Sequence, residues 1–355
     1  MPLRMSVLDR LELPIVQAPM AGGPSTPALA AAVSEAGGLG FLAAGYKTPG
    51  AVRDDIAATR ALTDAPIGVN VFAAGGEPAD AGAVARYADC LRAEADGAGV
   101  ALGRPRFDDD ALAGKLELLC GADPVAVVSF TFGCPARDLV ARLHAAGSEA
   151  WVTVTSAAEA EAAVAAGADA LIVQGVEAGG HRGSFTDDAV APPGLGVLAL
   201  LQVLGSGTGV PLVATGGIVT GAAVGAVLVA GAAAAQLGTA YLLCPEAATS
   251  APHRAAVASA RPTAPTRAFS GRLARGIVNR FMRDHEAHAP VAYPEVNHLT
   301  APLRAHGRAT GDGDVINLWA GEAHALAQER PAGELTRALA ADARAAVAAA
   351  HARLG

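Results

Sequence analysis

Eight short apolar runs, each followed by a helix-forming stretch, recur along the first two-thirds of the chain and constrain its fold more than any other feature. The runs at 14–18, 39–42, 67–71, 125–130, 150–154, 170–174, 211–215 and 233–237 contain no charged residue. Parallel strands covered by helices on both faces read this way. Ala-Gly pairs at Ala36-Gly37, Ala146-Gly147, Ala166-Gly167 and Ala230-Gly231 precede the next run, as expected where a glycine closes a helix. Ser25 reads as an N-cap with Pro27 in the first turn. Ser156, with Glu159 three residues on, reads as a capping box. Further helices are predicted from Pro49, over 135–146 and over 220–230.

Eight such units in about 250 residues predict an α/β chain folded as a (β/α)8 TIM barrel, and favour it over a doubly wound sheet. The barrel is expected over 1–245, with a helical excursion at about 75–121 that is too long for one crossover helix. After Pro245 the strand pattern stops, and residues 246–315 are rich in Arg, His and Pro, which predicts a cap on the substrate side of the mouth. Residues 316–355 are expected to form C-terminal helices packing on the barrel, an amphipathic pair from Gly321 broken near Pro331.

Composition removes several function classes. A net charge of -8 gives no broad attraction to nucleic acid or an anionic membrane. The stretch from Ala189 to Pro245 carries no charge, but Pro192, Pro193, Pro211 and a series of glycines break every window long enough to span a bilayer. Cys90, Cys120, Cys134 and Cys244 form no Cys-x-x-Cys pair and lack metal-ligand spacing, so no metal is expected and reduced thiols in the cytoplasm are. The first residues hold charges and no apolar signal core. Nothing in the sequence opposes a homodimer.

In such a barrel the active site lies at the C-terminal ends of the strands, with a phosphate usually bound after the seventh and eighth. There the chain reads Thr215-Gly216-Gly217, before a helix from Thr220, and Gln236-Leu237-Gly238-Thr239. Glycine turns expose backbone N–H groups, the helix start adds its positive end, and Thr239 adds a hydroxyl. Gln17, Asn70 and Gln174 end apolar strands, and three converging amides suit a planar ligand with donor and acceptor edges. The small-residue loop through Pro19, Met20 and Ala21 would let backbone approach that ring. After the sixth run comes Glu177-Ala178-Gly179-Gly180-His181-Arg182-Gly183, which places His181 at the mouth as a candidate acid or base.

The run from Gln17 to Pro27 resembles the opening motif of nitronate monooxygenases (2-nitropropane dioxygenase-like, class I type). The segments 177–183, 236–239, 269–272, 279–281 and 293–296 are similar to that family too. The resemblance implies FMN held by Asn70, Gln174, Gly179, Gly217 and the turn from Gln236 to Thr239, with Pro19, Met20, Ala21, Gly180 and Gly216 beside it. It implies His181 as the catalytic base or substrate anchor. The implied reaction is oxidation of an alkyl nitronate, such as propionate 3-nitronate, with O2 to a carbonyl compound and nitrite or related nitrogen oxides. A mouth bearing His181 and Arg182 suits that anion, and an apolar cap would exclude water.

Rival readings share parts of this pattern. A flavin enoyl-acyl-carrier-protein reductase also carries Glu-Ala-Gly-Gly-His but tends to have an apolar residue where this chain has Arg182, and it needs a reduced nicotinamide donor, as a quinone reductase would. A non-enzymatic FMN-binding barrel predicts flavin without turnover. An IMP-dehydrogenase-like barrel wants a cysteine in the sixth loop, where none occurs.

Overall fold

The computed structural model describes residues 6–73, 78–188 and 194–355; the expected start of the excursion near 75, and Ala189, Pro192 and Pro193, lie outside them. Eleven strands follow in chain order: β1 (Ile15–Gln17), β2 (Gly40–Ala43), β3 (Ile67–Phe72), β4 (Val127–Thr131), β5 (Glu149–Val154), β6 (Ala170–Gln174), β7 (Gly180–His181), β8 (Leu212–Thr215), β9 (Ala234–Leu237), β10 (Thr263–Thr266) and β11 (Ala274–Ile277). Eight of them form one parallel sheet in the order β1-β9-β8-β6-β5-β4-β3-β2. A parallel bridge between Val16 and Leu39 joins its two ends, so the sheet closes into the expected (β/α)8 barrel. The four Ala-Gly pairs do close helices, with Gly37, Gly147, Gly167 and Gly231 all at positive φ.

Period-two alternation sets which side chains face inward. Val16, Phe41, Val127, Trp151, Ile172, Val213 and Ala234 point into the barrel and fill its lower half together with Val7, which plugs the bottom. Glu149 holds that plug, accepting the Val7 N–H at 2.6 Å and the Trp151 indole N–H at 2.9 Å. Their neighbours Ile15, Ala214, Ala235 and Leu237 point outward to the helices. Burying a large apolar side chain in this way stabilises by roughly 1.5–3 kcal/mol.

Local caps differ from the sequence reading in two places. The helix Pro27–Glu35 is capped by Thr26, whose hydroxyl accepts the Leu29 N–H; Ser25 instead accepts the Met20 N–H at 2.8 Å and ties down the loop after β1. Ser156 caps the helix Ala157–Ala166, but Glu159 reaches past it to the Thr155 N–H (2.6 Å) and, with its other oxygen, to the Phe185 N–H (2.8 Å). That glutamate stitches a helix start to the loop after β7.

The described residues of the third crossover hold three helices, Ala81–Cys90, Arg92–Ala98 and Leu112–Leu119. Beyond β9 the strand pattern does not stop: β10, β11 and β7 make a small antiparallel sheet across the mouth. The helix Glu295–Thr310 packs against the helices Ala81–Cys90 and Arg92–Ala98 of the excursion. The C-terminal segment is not a helix pair. After one short turn (His324–Leu326) a single helix, Ala332–Leu354, packs against the helices Gly221–Val229 and Pro27–Glu35. Among the described residues no helix is long and apolar enough to cross a membrane.

Candidate active site

Above the apolar floor the inward positions turn polar. Asn70, Thr131, Thr153, Gln174, Thr215 and Gln236 ring the C-terminal end of the barrel and line a cavity of about 920 Å3. That volume is within the usual range for a small-molecule site. The cavity roof comes from Ser270, Tyr293, Asn297 and Arg304 of the cap and from Trp319 just beyond it. It is not the apolar cover the sequence suggested.

Strand parity divides the amides. Gln17 has Ile15's outward parity; its Oε1 accepts the Phe41 N–H at 3.0 Å and its Nε2 donates to Ser25 Oγ at 3.2 Å, so it is a structural amide outside the cavity. Gln174 lines the cavity, but both ends of its amide hold the following loop: Nε2 donates to the His181 carbonyl (3.1 Å) and Oε1 accepts the Gly183 N–H (2.8 Å). Asn70 donates through Nδ2 to Ser129 Oγ (2.9 Å) and Thr131 Oγ1 (3.0 Å), and no described residue donates to its Oδ1. Gln236 is the amide left over. Its Oε1 is buried without a hydrogen-bond partner among the described residues, a cost that a ligand donor would offset.

Of the other expected residues, Pro19, Met20, Ala21, Gly179, Gly180, Gly216, Gly217, Gly238 and Thr239 all line the cavity. Leu237 does not: it faces the core between sheet and helices. Gly216 and Gly217 hold φ of +119° and +67°, a turn that L side chains enter only under strain. The turn leads into the helix Gly221–Val229, capped by Thr220. Thr239 Oγ1 accepts the Gly321 N–H at 3.0 Å, which anchors the C-terminal segment while leaving the hydroxyl proton to donate.

His181 sits in this cavity on β7, ringed by Phe132, Tyr293 and Trp319 at centroid distances of 5.5–5.7 Å. Burial, followed by the charges of Arg272 and Arg304, pushes its pKa down to about 3, so the imidazole is neutral at ordinary pH. Its Nε2 lies 2.8 Å from Ser270 Oγ, which donates onward to the Arg272 carbonyl at 3.2 Å. That chain assigns the proton to Nε2 and leaves Nδ1 as the acceptor. Arg182 is no part of the mouth. Its guanidinium donates to the Gln174 carbonyl at 2.6 Å and to the Thr155 carbonyl, bracing the loop from behind.

Backbone strain gathers at the same place. Tyr46, Asp110, Ala111 and Phe132 are the non-glycine residues with positive φ among those described, and all four line the cavity. Such conformations cost of order 1–3 kcal/mol each and cluster at functional sites. Sequence reasoning assigned no role to Tyr46, Phe132, Ser270, Tyr293, Arg304 or Trp319. Ser270 and Tyr293 fall within motifs it had singled out; for the other four only the fold brings them to the mouth.

The family model for nitronate monooxygenase matches residues 6–342. The chain belongs to the nitronate monooxygenase family. Relatives named nitronate monooxygenase include one from Pseudomonas aeruginosa, 41% identical over 95% of this chain and 97% of the relative. Another, from Paraburkholderia phytofirmans, is 40% identical over 93% of this chain and 92% of the relative. A crystal structure of nitroalkane oxidase from Streptomyces ansochromogenes superposes with a TM-score of 0.94 at 50% identity, covering 97% of this chain and 99% of that one. FabK from Thermotoga maritima is more distant, with a TM-score of 0.75 at 25% identity. Nitronate monooxygenases are flavin-dependent, and the residues present fit a flavin: the partnerless Gln236 Oε1 suits a ring N–H, and the Gly216-Gly217 turn before a helix start suits a phosphate.

Proposed function

We propose that this protein is an FMN-dependent enzyme that oxidises alkyl nitronates, such as propionate 3-nitronate, with O2 to a carbonyl compound and nitrite or related nitrogen oxides. The observation that carries the cofactor reading is the buried, partnerless Gln236 Oε1 set in a ring of polar strand ends. Asn70 and Gln236 would hold the flavin ring, Pro19, Met20, Ala21, Gly179 and Gly180 would pack beside it, and Gly216, Gly217, Gly238 and Thr239 would hold the phosphate. Gln174 acts on the ligand through the loop it clamps, and Leu237 through the core alone. In this reading 1–245 is the FMN-binding barrel, 246–315 the substrate-side cap, and 316–355 a brace on the barrel wall.

When bound, FMN would supply the redox chemistry between the nitronate and O2. The protein's part is to bind, orient and desolvate. The aromatic wall of Phe132, Tyr293 and Trp319 excludes water around the reacting carbon and holds the imidazole in one orientation. His181, neutral and fixed by Ser270, presents Nδ1 as a hydrogen-bond acceptor, the atom that would take the proton if a neutral nitroalkane entered. A base whose conjugate acid is this acidic abstracts a carbon-bound proton poorly, which favours substrates that arrive already as nitronates. The cationic guanidinium of Arg304 beside it attracts such anions.

The test is stoichiometric. Protein reconstituted with FMN should consume O2 and release nitrite with propionate 3-nitronate, without added nicotinamide. Oxygen uptake that requires NADPH would place the protein with the reductases instead.

A further inference from the structure

One face of the helix Glu295–Thr310 is turned to the cavity: Asn297, Ala301, Arg304 and Arg308 all line it. Their spacing of four, three and four is one stripe of a 3.6-residue helix. The stripe therefore sets two guanidiniums four residues apart, about 6 Å along the axis. Like charges at that spacing repel. Burial, followed by the charge of Arg308, lowers the Arg304 pKa to about 10, and burial lowers that of Arg308.

Neither arginine has a carboxylate partner among the described residues. Arg304 donates through Nε to Thr300 Oγ1 (3.1 Å) and through Nη2 to the Asn297 carbonyl (2.6 Å) and Oδ1 (2.8 Å), all uncharged, while its Nη1 meets no acceptor. Arg308 makes one contact, from Nη2 to Asn317 Oδ1 at 2.8 Å. The acids on the same cavity wall are engaged elsewhere. Asp108 contacts His298 (2.8 Å) and Arg106 (3.2 Å), Asp109 accepts the Ala111 N–H (3.1 Å), and Asp110 pairs with Lys115 (2.6 Å) and accepts the Tyr46 N–H (2.9 Å). Of the other cap arginines, Arg267 pairs with Asp187, Arg275 with Glu322 and Arg280 with Glu94, while the buried Arg272 donates to the Arg182 and Ser184 carbonyls.

Arg304 is half-buried with no counter-ion, which is costly, and Arg308, exposed at the outer end of the stripe, adds a like charge one turn away. An anion entering the cavity would relieve both. The charge of Arg304 reaches His181, whereas that of Arg308 reaches Arg304 and His253, so the pair runs outward from the reactive end. We propose that Arg304 and Arg308 determine substrate specificity by receiving a second anionic group, a carboxylate on a short carbon chain, while the nitronate end lies against His181. The chemical step rests on the nitronate reading above; the binding does not.

The experiment uses the FMN-loaded protein and two probes. Succinate mimics a carboxylate-bearing nitronate without reacting, and butyrate lacks one of its charges; each is titrated while the flavin absorbance is followed. Succinate should bind at least tenfold more tightly than butyrate, and Arg308→Gln should abolish that preference. In turnover, Arg308→Gln should raise KM for propionate 3-nitronate about tenfold or more, with the effect on kcat much smaller. The kcat/KM ratio of propionate 3-nitronate to propyl 1-nitronate should fall at least tenfold. Arg304→Lys, which keeps the charge and spares the fold, should retain most of the preference that Arg304→Gln loses. Equal weakening of both substrates, no change in either, or loss of FMN from the Arg308 variant would overturn the proposal. If the wild type turns over no nitronate yet binds succinate through these arginines, the reaction reading fails and the receptor stands.

Discussion

At the scale of residues, inward or outward parity separates structural from ligand-facing groups of the same chemistry. Gln17 and Gln236 are both buried amides at strand ends, yet one is spent on Phe41 and Ser25 and the other has an unmet acceptor. Gln17→Ala should therefore cost about 1–3 kcal/mol of stability in denaturant melts by orphaning the Phe41 N–H. Gln236→Ala should leave stability nearly unchanged but weaken FMN binding about tenfold in a fluorescence titration, the loss of one hydrogen bond from a buried site. His181→Ala should keep the flavin and lose turnover of neutral nitroalkanes; unchanged kinetics with those substrates would remove the base role. The folded pKa values of His181 and His253, about 3 and about 4, lie below the ordinary 6.5. As pH falls below 6.5 the unfolded chain takes up these protons first, so stability is full above 6.5 and declines toward pH 4. Thermal melts across that range read this slope, and a flat melting temperature from pH 7 to 4 would contradict it.

At the scale of elements, the sequence was legible where a pattern repeats and opaque where geometry is set by distant partners. All eight barrel strands lie within two residues of their predicted positions, because each is a short apolar run free of charge and most are bounded by glycine or proline. The strands β7, β10 and β11 escaped notice for a physical reason. They span two to four residues, show no alternation, and β10 carries Pro265, which is tolerated because β10 is an edge strand. Pro331 reads as a break between two helices and instead stands at the start of one, where its missing N–H costs nothing. That helix docks through Leu335, Leu339 and Ala343, all buried. Leu339→Ala should lower stability by about 2–4 kcal/mol in chemical denaturation, with the flavin site retained in the folded fraction. A loss below 0.5 kcal/mol would mean the helix is not part of the barrel's cooperative unit.

At the scale of the whole molecule, a barrel packed solid at one end opens at the other into a polar ring under a cap. The candidate site was legible in part: His181, the Gly216-Gly217 turn and the loop from Pro19 to Ala21 all reach the cavity. What stayed hidden is brought to the mouth by tertiary structure alone: Tyr46 and Phe132 from the loops after β2 and β4, Arg304 from the cap and Trp319 from the segment beyond it. The positive charge there comes from Arg272, Arg304 and Arg308, not from Arg182, which the fold turns away to brace a loop.

The central claim is that this cavity takes electrons from a nitronate and not from a nicotinamide. The most direct test is anaerobic mixing of the FMN-loaded protein with propionate 3-nitronate in one cuvette and NADPH in another, followed by visible absorbance. A nitronate oxidase should show a change in the flavin spectrum with the nitronate and none with NADPH over the same time. Bleaching by NADPH with no response to the nitronate would contradict it.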